Sequence, residues 1–298
     1  MSKTYHPKRK VNKPSEIPFS GWKSIGIGVK DMFGEDNVSI VSAGVAFYAF
    51  LAVFPAIGAL VSIYGLVMNP QSLQEQLQTI SQVMPQQAFE IIQAQLQDLV
   101  TTSGSALSWS LAIGILLSIW SANKGTKSLF TGIDIAYNTS NDRGFIKQNA
   151  LTLLFTFGAV ILVILSLGVI VVWPTFVDSI PLPATAKGLI SWLRWLVLAA
   201  IVVYFLGTVY RYAPARKKPD FKWVLPGAIL ATVLWLIASW GFSFYVKNFG
   251  SYGEVYGSIS AVVVMLLWLF LTSLIILLGA ELNSEIEKYS RARVDHKA

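Results

Sequence analysis

Cysteine is absent from the 298 residues, and histidine occurs only at His6 and His296. The first absence excludes disulfides, thiolate metal sites and a thiol nucleophile. The second leaves almost nothing for a histidine metal site or a histidine-based triad. Charge is scarce as well. Charged residues make up 13% of the chain, against about a quarter in a soluble domain. No Gly-rich loop ending in Lys-Ser or Lys-Thr is present to cradle a nucleotide phosphate. No Asp-x-Asp, His-x-His or Asp-x-His cluster is present to hold the cations of a metal-dependent nuclease. No catalytic centre and no cofactor are therefore expected. Residues 69–104 lack Lys and Arg altogether and hold ten glutamines instead.

What is abundant is apolar surface. Hydrophobic residues make up 54% of the chain, and the mean hydropathy is +0.58. Long uncharged runs recur, and their lengths suit helices. Residues 258–280 carry no charge over 23 positions. As a helix this run is about 34 Å long, enough for a bilayer core of roughly 30 Å. Six such spans are expected, at about 40–68, 105–123, 149–173, 188–210, 223–246 and 258–280. The fold class is thus all-α, a polytopic membrane bundle of six transmembrane helices with amphipathic interfacial and external helices.

Between and around the spans the pattern changes. Residues 1–20 are basic and proline-containing and read as a disordered tail. Trp22, Ile25, Val29 and Met32 share one face of a short helix over 21–33, which either lies on the membrane surface or packs on the bundle. Leu73, Leu77, Ile80 and Met84, then Phe89, Ile92, Leu96 and Leu99, form two amphipathic stripes, so 71–100 reads as external helices. Their lack of cations favours packing on the bundle or on a partner protein over anionic lipid. Residues 127–138 are amphipathic again and suggest an interfacial or re-entrant helix that bears Asp134. A Pro-rich loop is expected after the third span, from Pro174 to Pro183. Pro226 is placed in the first turn of the fifth span, where a missing N–H costs little. The membrane domain ends at about residue 286, and 287–298 form a second tail.

Cations sort these segments by side. With both termini in the cytoplasm, 20 of the 23 Lys and Arg fall on that side. The opposite arrangement reverses the positive-inside bias. The basic segments are then topology determinants and anionic-lipid contacts, and no nucleic-acid partner is expected. The expected location is a bacterial cytoplasmic membrane with both termini inside. The expected partners are membrane lipids and an envelope protein that docks on 71–100.

Four motifs now stand in order: SAGVAFYAFLAVFPA in the first span, WSANKG after the second, YRYAP after the fourth, and YGEVYG…LLGAELN in the sixth. Together they resemble the YihY/BrkB family of bacterial inner-membrane proteins, over about residues 20–286. The resemblance implies a six-helix membrane protein. Some family members are labelled virulence factors for serum resistance, and some carry an old ribonuclease BN name. It supplies no catalytic residue set.

The candidate residues are polar or conformational. Pro55 removes a donor inside the first span and kinks it, as a hinge or as plain structure. Asn123 closes the second span. Gly253 and Gly257, with Ala261, put small side chains on one helix face for close packing, and Tyr256 lies among them. Arg194, inside the fourth span, either snorkels or pairs with Glu254. Glu281 and Asn283 close the sixth span. A carboxylate at that depth needs a partner, with Arg211, Lys222 and Lys124 as candidates, or it is a helix-end anchor. Glu285 and Lys288 lie one turn apart and read as a solvated face. The function expected from these features is transport or presentation of a lipid or other amphiphile, in envelope maintenance or serum resistance. The alternative is a scaffold that binds an envelope partner through 71–100.

Overall fold

The structure is a computed structural model that describes residues 11–67, 104–179, 183–248 and 258–291. A 3-10 turn, Pro14–Glu16, precedes seven α-helices, and no strand occurs among the described residues. The helices are α1 (Phe19–Glu35), α2 (Val38–Val67), α3 (Gly104–Ala136), α4 (Phe145–Ser179), α5 (Ala184–Tyr212), α6 (Phe221–Asn248) and α7 (Ser258–Arg291). Helix is the state that satisfies every backbone N–H and C=O within one segment, which hydrocarbon requires.

Apart from Met68, which lies outside the described residues, the residues of each expected span fall within one of α2 to α7. Among the described residues, α4, α5, α6 and α7 are long and apolar enough to cross a membrane. A fifth candidate is α1 joined to the start of α2, if that bent pair counts as one span.

Several boundaries differ from expectation. Residues 127–136 are not a separate interfacial helix, because α3 runs unbroken from Gly104 through them. No glycine pair or proline interrupts its hydrogen-bond ladder there. Pro174 does not open a loop, since α4 continues to Ser179. Pro226 is the sixth residue of α6 rather than part of its first turn. Residues 11–17, expected in a disordered tail, return to the body, where Val11 and Ile17 are buried. α7 likewise runs past 286 to Arg291, with Tyr289 buried in the same cluster.

The chain divides into two compact units. The first comprises Met1–Ala43, Thr126–Gly241 and Leu271–Ala298. Its core joins Phe130 and Ile133 of α3, Phe155 of α4, Tyr210 of α5, Val224 of α6 and Leu277 of α7. Phe130 meets Phe155 edge-on at 5.3 Å. Polar ties add direction to this packing: Thr126 and Thr156 share a 2.8 Å hydroxyl bond, and Trp235 Nε1 donates to Thr272 Oγ1 at 3.2 Å. Such interhelical bonds are typical glue where both lipid and side chains are apolar. In the second unit, Gly44–Gly125 and Phe242–Phe270, Phe242 packs on Trp268 at 5.1 Å. Large rings face outward on both units, with Trp192 72% and Trp240 77% exposed in the first and Trp109 73% exposed in the second. That is how a surface solvated by lipid chains looks.

α1 settles the choice left open for it. Its Ile25 is buried against Ile286 and Tyr289 of α7, with Trp22 and Val29 beside them. It is a helix packed on the bundle.

Candidate functional site

The first unit concentrates its polar groups where the end of α7 meets the α1–α2 corner and the connection from α5 to α6. α7 places Glu281, Asn283, Glu285 and Glu287 there, all buried. With Ser284, that makes five buried polar side chains in seven residues, which marks a built site, because each costs free energy unless partnered.

Asn283 acts on the backbone. Its Oδ1 accepts from Gly227 N–H at 2.8 Å, and its Nδ2 donates to the Val224 carbonyl at 2.9 Å. Those groups flank Pro226, whose ring removes one donor from the α6 ladder. Asn283 thus pins α7 to the weakened turn of α6. The backbones themselves touch at this crossing. A Cβ on Gly279 would lie 2.5 Å from the Tyr210 hydroxyl and 2.7 Å from the Gly227 carbonyl oxygen, and a Cβ on Gly227 would overlap the Gly279 carbonyl. Tyr210 completes the junction by donating to the Ile276 carbonyl at 2.7 Å. The close small-residue seam of α7 observed among the described residues is this one. Gly253, Glu254, Tyr256 and Gly257, proposed for that role and for pairing with Arg194, lie outside the described residues, as does 71–100.

Glu287 pairs with Arg216 across a 2.9 Å ion pair, both side chains nearly buried. The guanidinium also stacks over the Tyr137 ring at 4.1 Å. Glu285 is not on a solvated face as expected. Its carboxylate is buried and takes Lys288 Nζ at 2.7 Å.

Asp134 and Arg143 hold the YRYAP segment. Arg143 donates to three successive carbonyls, those of Tyr212 at 3.1 Å, Ala213 at 2.9 Å and Pro214 at 2.6 Å. Asp134 Oδ1 accepts from Ala215 N–H at 2.8 Å and from the Thr139 hydroxyl at 3.0 Å. Burial raises the Asp134 carboxyl above its ordinary range, while these two bonds and the Arg143 charge pull it back. Asp134 comes from the last turn of α3 and Arg143 from the connection to α4. α3 closes on Asn138 at φ 51°, in the left-handed conformation common after a helix end.

Glu281 is different. It is fully buried, and both carboxylate oxygens lack a hydrogen-bond donor. None of the expected cations reaches it. Lys222 lies 3.3 Å from Asp220, Lys124 sits over Trp120, and Arg211 over Tyr212. What faces Glu281 is Asp36, within hydrogen-bond reach. Asp36 ends α1, its N–H donating to the Met32 carbonyl at 2.8 Å. Asn37 follows at φ 50°, and α2 leaves at 65° to α1. Burial raises the Asp36 carboxyl, the contact with Glu281 and the Lys288 charge lower it, and Glu35 and Glu285 raise it further.

The remaining candidates stand apart from this cluster. Arg194 lies over the Trp195 ring at 5.3 Å, with Nε unpartnered. Asn123, in the second unit, is buried with Oδ1 unpartnered. Pro55 lies within α2. Sequence reasoning missed Asp36, Arg143, Arg216, Glu287 and Tyr210. The Gly34-Glu-Asp-Asn37 stretch was the available signal for the corner.

Comparison with known proteins adds the family. The model for virulence factor BrkB matches residues 29–298. A ribonuclease-like protein YfkH of Bacillus subtilis is 28% identical over 255 residues, covering 83% of this chain and 89% of that protein. A UPF0761 membrane protein of Alteromonas mediterranea is 26% identical over 292 residues, covering 92% and 94%. One of Xanthomonas campestris is 38% identical over 118 residues, which span 38% of this chain and 27% of that longer protein. No solved structure matches. A family model covering nine-tenths of the chain, on a bundle of apolar helices, shows that this chain is a membrane protein of the BrkB (UPF0761) family.

Proposed function

We propose that this protein binds and moves, or presents, an amphiphile across a bacterial cytoplasmic membrane, with both termini on the cytoplasmic side. One observation carries the reading. A fully buried carboxylate without a donor, Glu281, stands at the foot of a helix whose preceding 23 residues are uncharged. An ionisable group kept at such a depth is a functional site by default. A head group with N–H or O–H donors satisfies its oxygens, and an apolar body lies against the lipid-like helix surfaces. The orientation rests on the cation distribution, which leaves few Lys or Arg for the opposite side.

The test is reconstitution. Liposomes holding the purified chain and a head-group-labelled phospholipid are expected to exchange label between leaflets faster than empty vesicles, and Glu281→Leu is expected to slow that exchange. Folded protein that moves label no faster than empty vesicles counts against the reading. The same preparation addresses the ribonuclease-like name of one relative: incubated with precursor tRNA, it is expected to release no cleavage product.

A further inference from the structure

We infer that Asp36 and Glu281 form a proton-binding site, a carboxyl pair that holds one proton between them and so ties the α1–α2 corner to α7. Two features place the groups. The corner is fixed on both sides, by Ile25 against Ile286 and Tyr289 and by Val38 in the main core of the first unit. The 65° turn, with Asn37 in a left-handed conformation, follows Asp36 at once, and the Asp36 and Glu281 side chains stand within hydrogen-bond reach of each other.

The chemistry of the pair follows from its lack of donors. A carboxylate is acceptor-only when ionised. Both oxygens of the fully buried Glu281 and Oδ2 of Asp36 have no donor. Two ionised carboxylates facing one another add repulsion to the cost of burial. One proton removes a charge and supplies the missing donor at once.

The neighbours offer no substitute. Lys288, on the same helix, is held by Glu285 at 2.7 Å. Arg216 is held by Glu287 at 2.9 Å and capped by Tyr137. The other charged neighbours, Glu35 and Glu285, are acids, and each disfavours a second negative charge on the pair. The Tyr137 hydroxyl, also within electrostatic reach of Glu281, is buried, and burial keeps it protonated. Among the described residues the pair is therefore surrounded by acids and by cations already committed elsewhere. The site stands whether or not the protein moves an amphiphile, and its test reads protonation without transport.

The full chain in sodium-free nanodiscs is titrated from acid to alkaline pH and followed by infrared difference spectroscopy. The expected result is a protonated-carboxyl C=O band, lost as pH rises, that is missing from both Glu281→Gln and Asp36→Asn. Loss from both variants is the mark of a shared proton. In parallel, the wild-type unfolding midpoint is expected to fall as pH rises through the band's titration, and the Glu281→Gln midpoint to stay level. A band that survives in both variants overturns the proposal, as does a wild-type midpoint that does not fall. So does a response to added sodium at fixed pH in place of the response to pH, which would make the pair a metal-cation site. If Glu281→Gln does not fold, Asp36→Asn, at a partly exposed helix end, carries the same two measurements.

Discussion

Glu281 and Glu287 lie less than two turns apart on one helix, both buried, and their surroundings are opposite. Glu287 faces a guanidinium at 2.9 Å that is itself backed by an aromatic ring. Glu281 faces another acid and has no donor. The contrast extends to whole clusters. Around Arg143 and Asp134, three carbonyls, one amide and one hydroxyl are matched with partners. Around Asn283 the amide meets a donor and an acceptor in α6. Matched clusters hold a bundle together. An unmatched one costs stability and persists where it has another use. The lesson is to look for function at Glu281 and Asp36, and for architecture at the other polar positions, although all are buried or half-buried polar residues in the same unit.

Mutations test that contrast. The largest loss is expected from Arg216→Ala, which leaves Glu287 buried without its counter-charge. Breaking a buried pair this way costs about 3–5 kcal/mol, read as a lowered unfolding midpoint in detergent. A loss no greater than that from Glu281→Gln breaks the comparison. Arg143→Ala follows, at about 2–3 kcal/mol, since it strips charge-assisted bonds from three carbonyls of one loop. Lysine at that position is expected to recover only part, because one ammonium cannot span the three carbonyls as the planar fork does. Asn283→Ala comes next, at about 1–3 kcal/mol for the orphaned Gly227 N–H beside Pro226.

Glu281→Gln is expected to run the other way. It removes a buried charge that has no partner, so unfolding stability holds near neutral pH and exceeds wild type at alkaline pH by on the order of 1 kcal/mol. The smallest effect belongs to Asp134→Asn. Burial raises this carboxyl above its unfolded value. Its stabilising share is therefore complete below the unfolded pKa and declines as pH rises through the folded one. The variant is expected to flatten that acid-range slope by a few tenths of a kcal/mol, seen in midpoints measured across an acid pH series.

Much of the fold was legible in the sequence, for a physical reason. Uncharged runs of about twenty residues have one low-energy form in hydrocarbon, and the described residues of each expected span are helical. The errors sit at ends and connections. Polarity rises at residue 123 and suggests a helix end there, yet α3 continues to Ala136, because amphipathicity marks a change of solvent and not the end of a hydrogen-bond ladder. Pro174 suggests a loop in the sequence, although α4 carries it before Ser179. In the site, Glu281 and Asn283 stood out as polar residues closing an apolar run. Their partners did not, because Asp36 and Val224 are more than fifty residues away in the chain.

The sequence alone determined that this protein is a bundle of membrane-length helices, because composition and run length decide what a bilayer accepts. It also determined which polar residues stand at the ends of those helices. Only the tertiary structure decided what each of them meets. A carboxylate's role depends on the group within about 3 Å of it, and no periodicity along α7 encodes that. The structure gave Asn283 to a proline-weakened turn, Glu287 to an arginine and Glu281 to a second acid, three different fates for three polar residues spaced over seven positions.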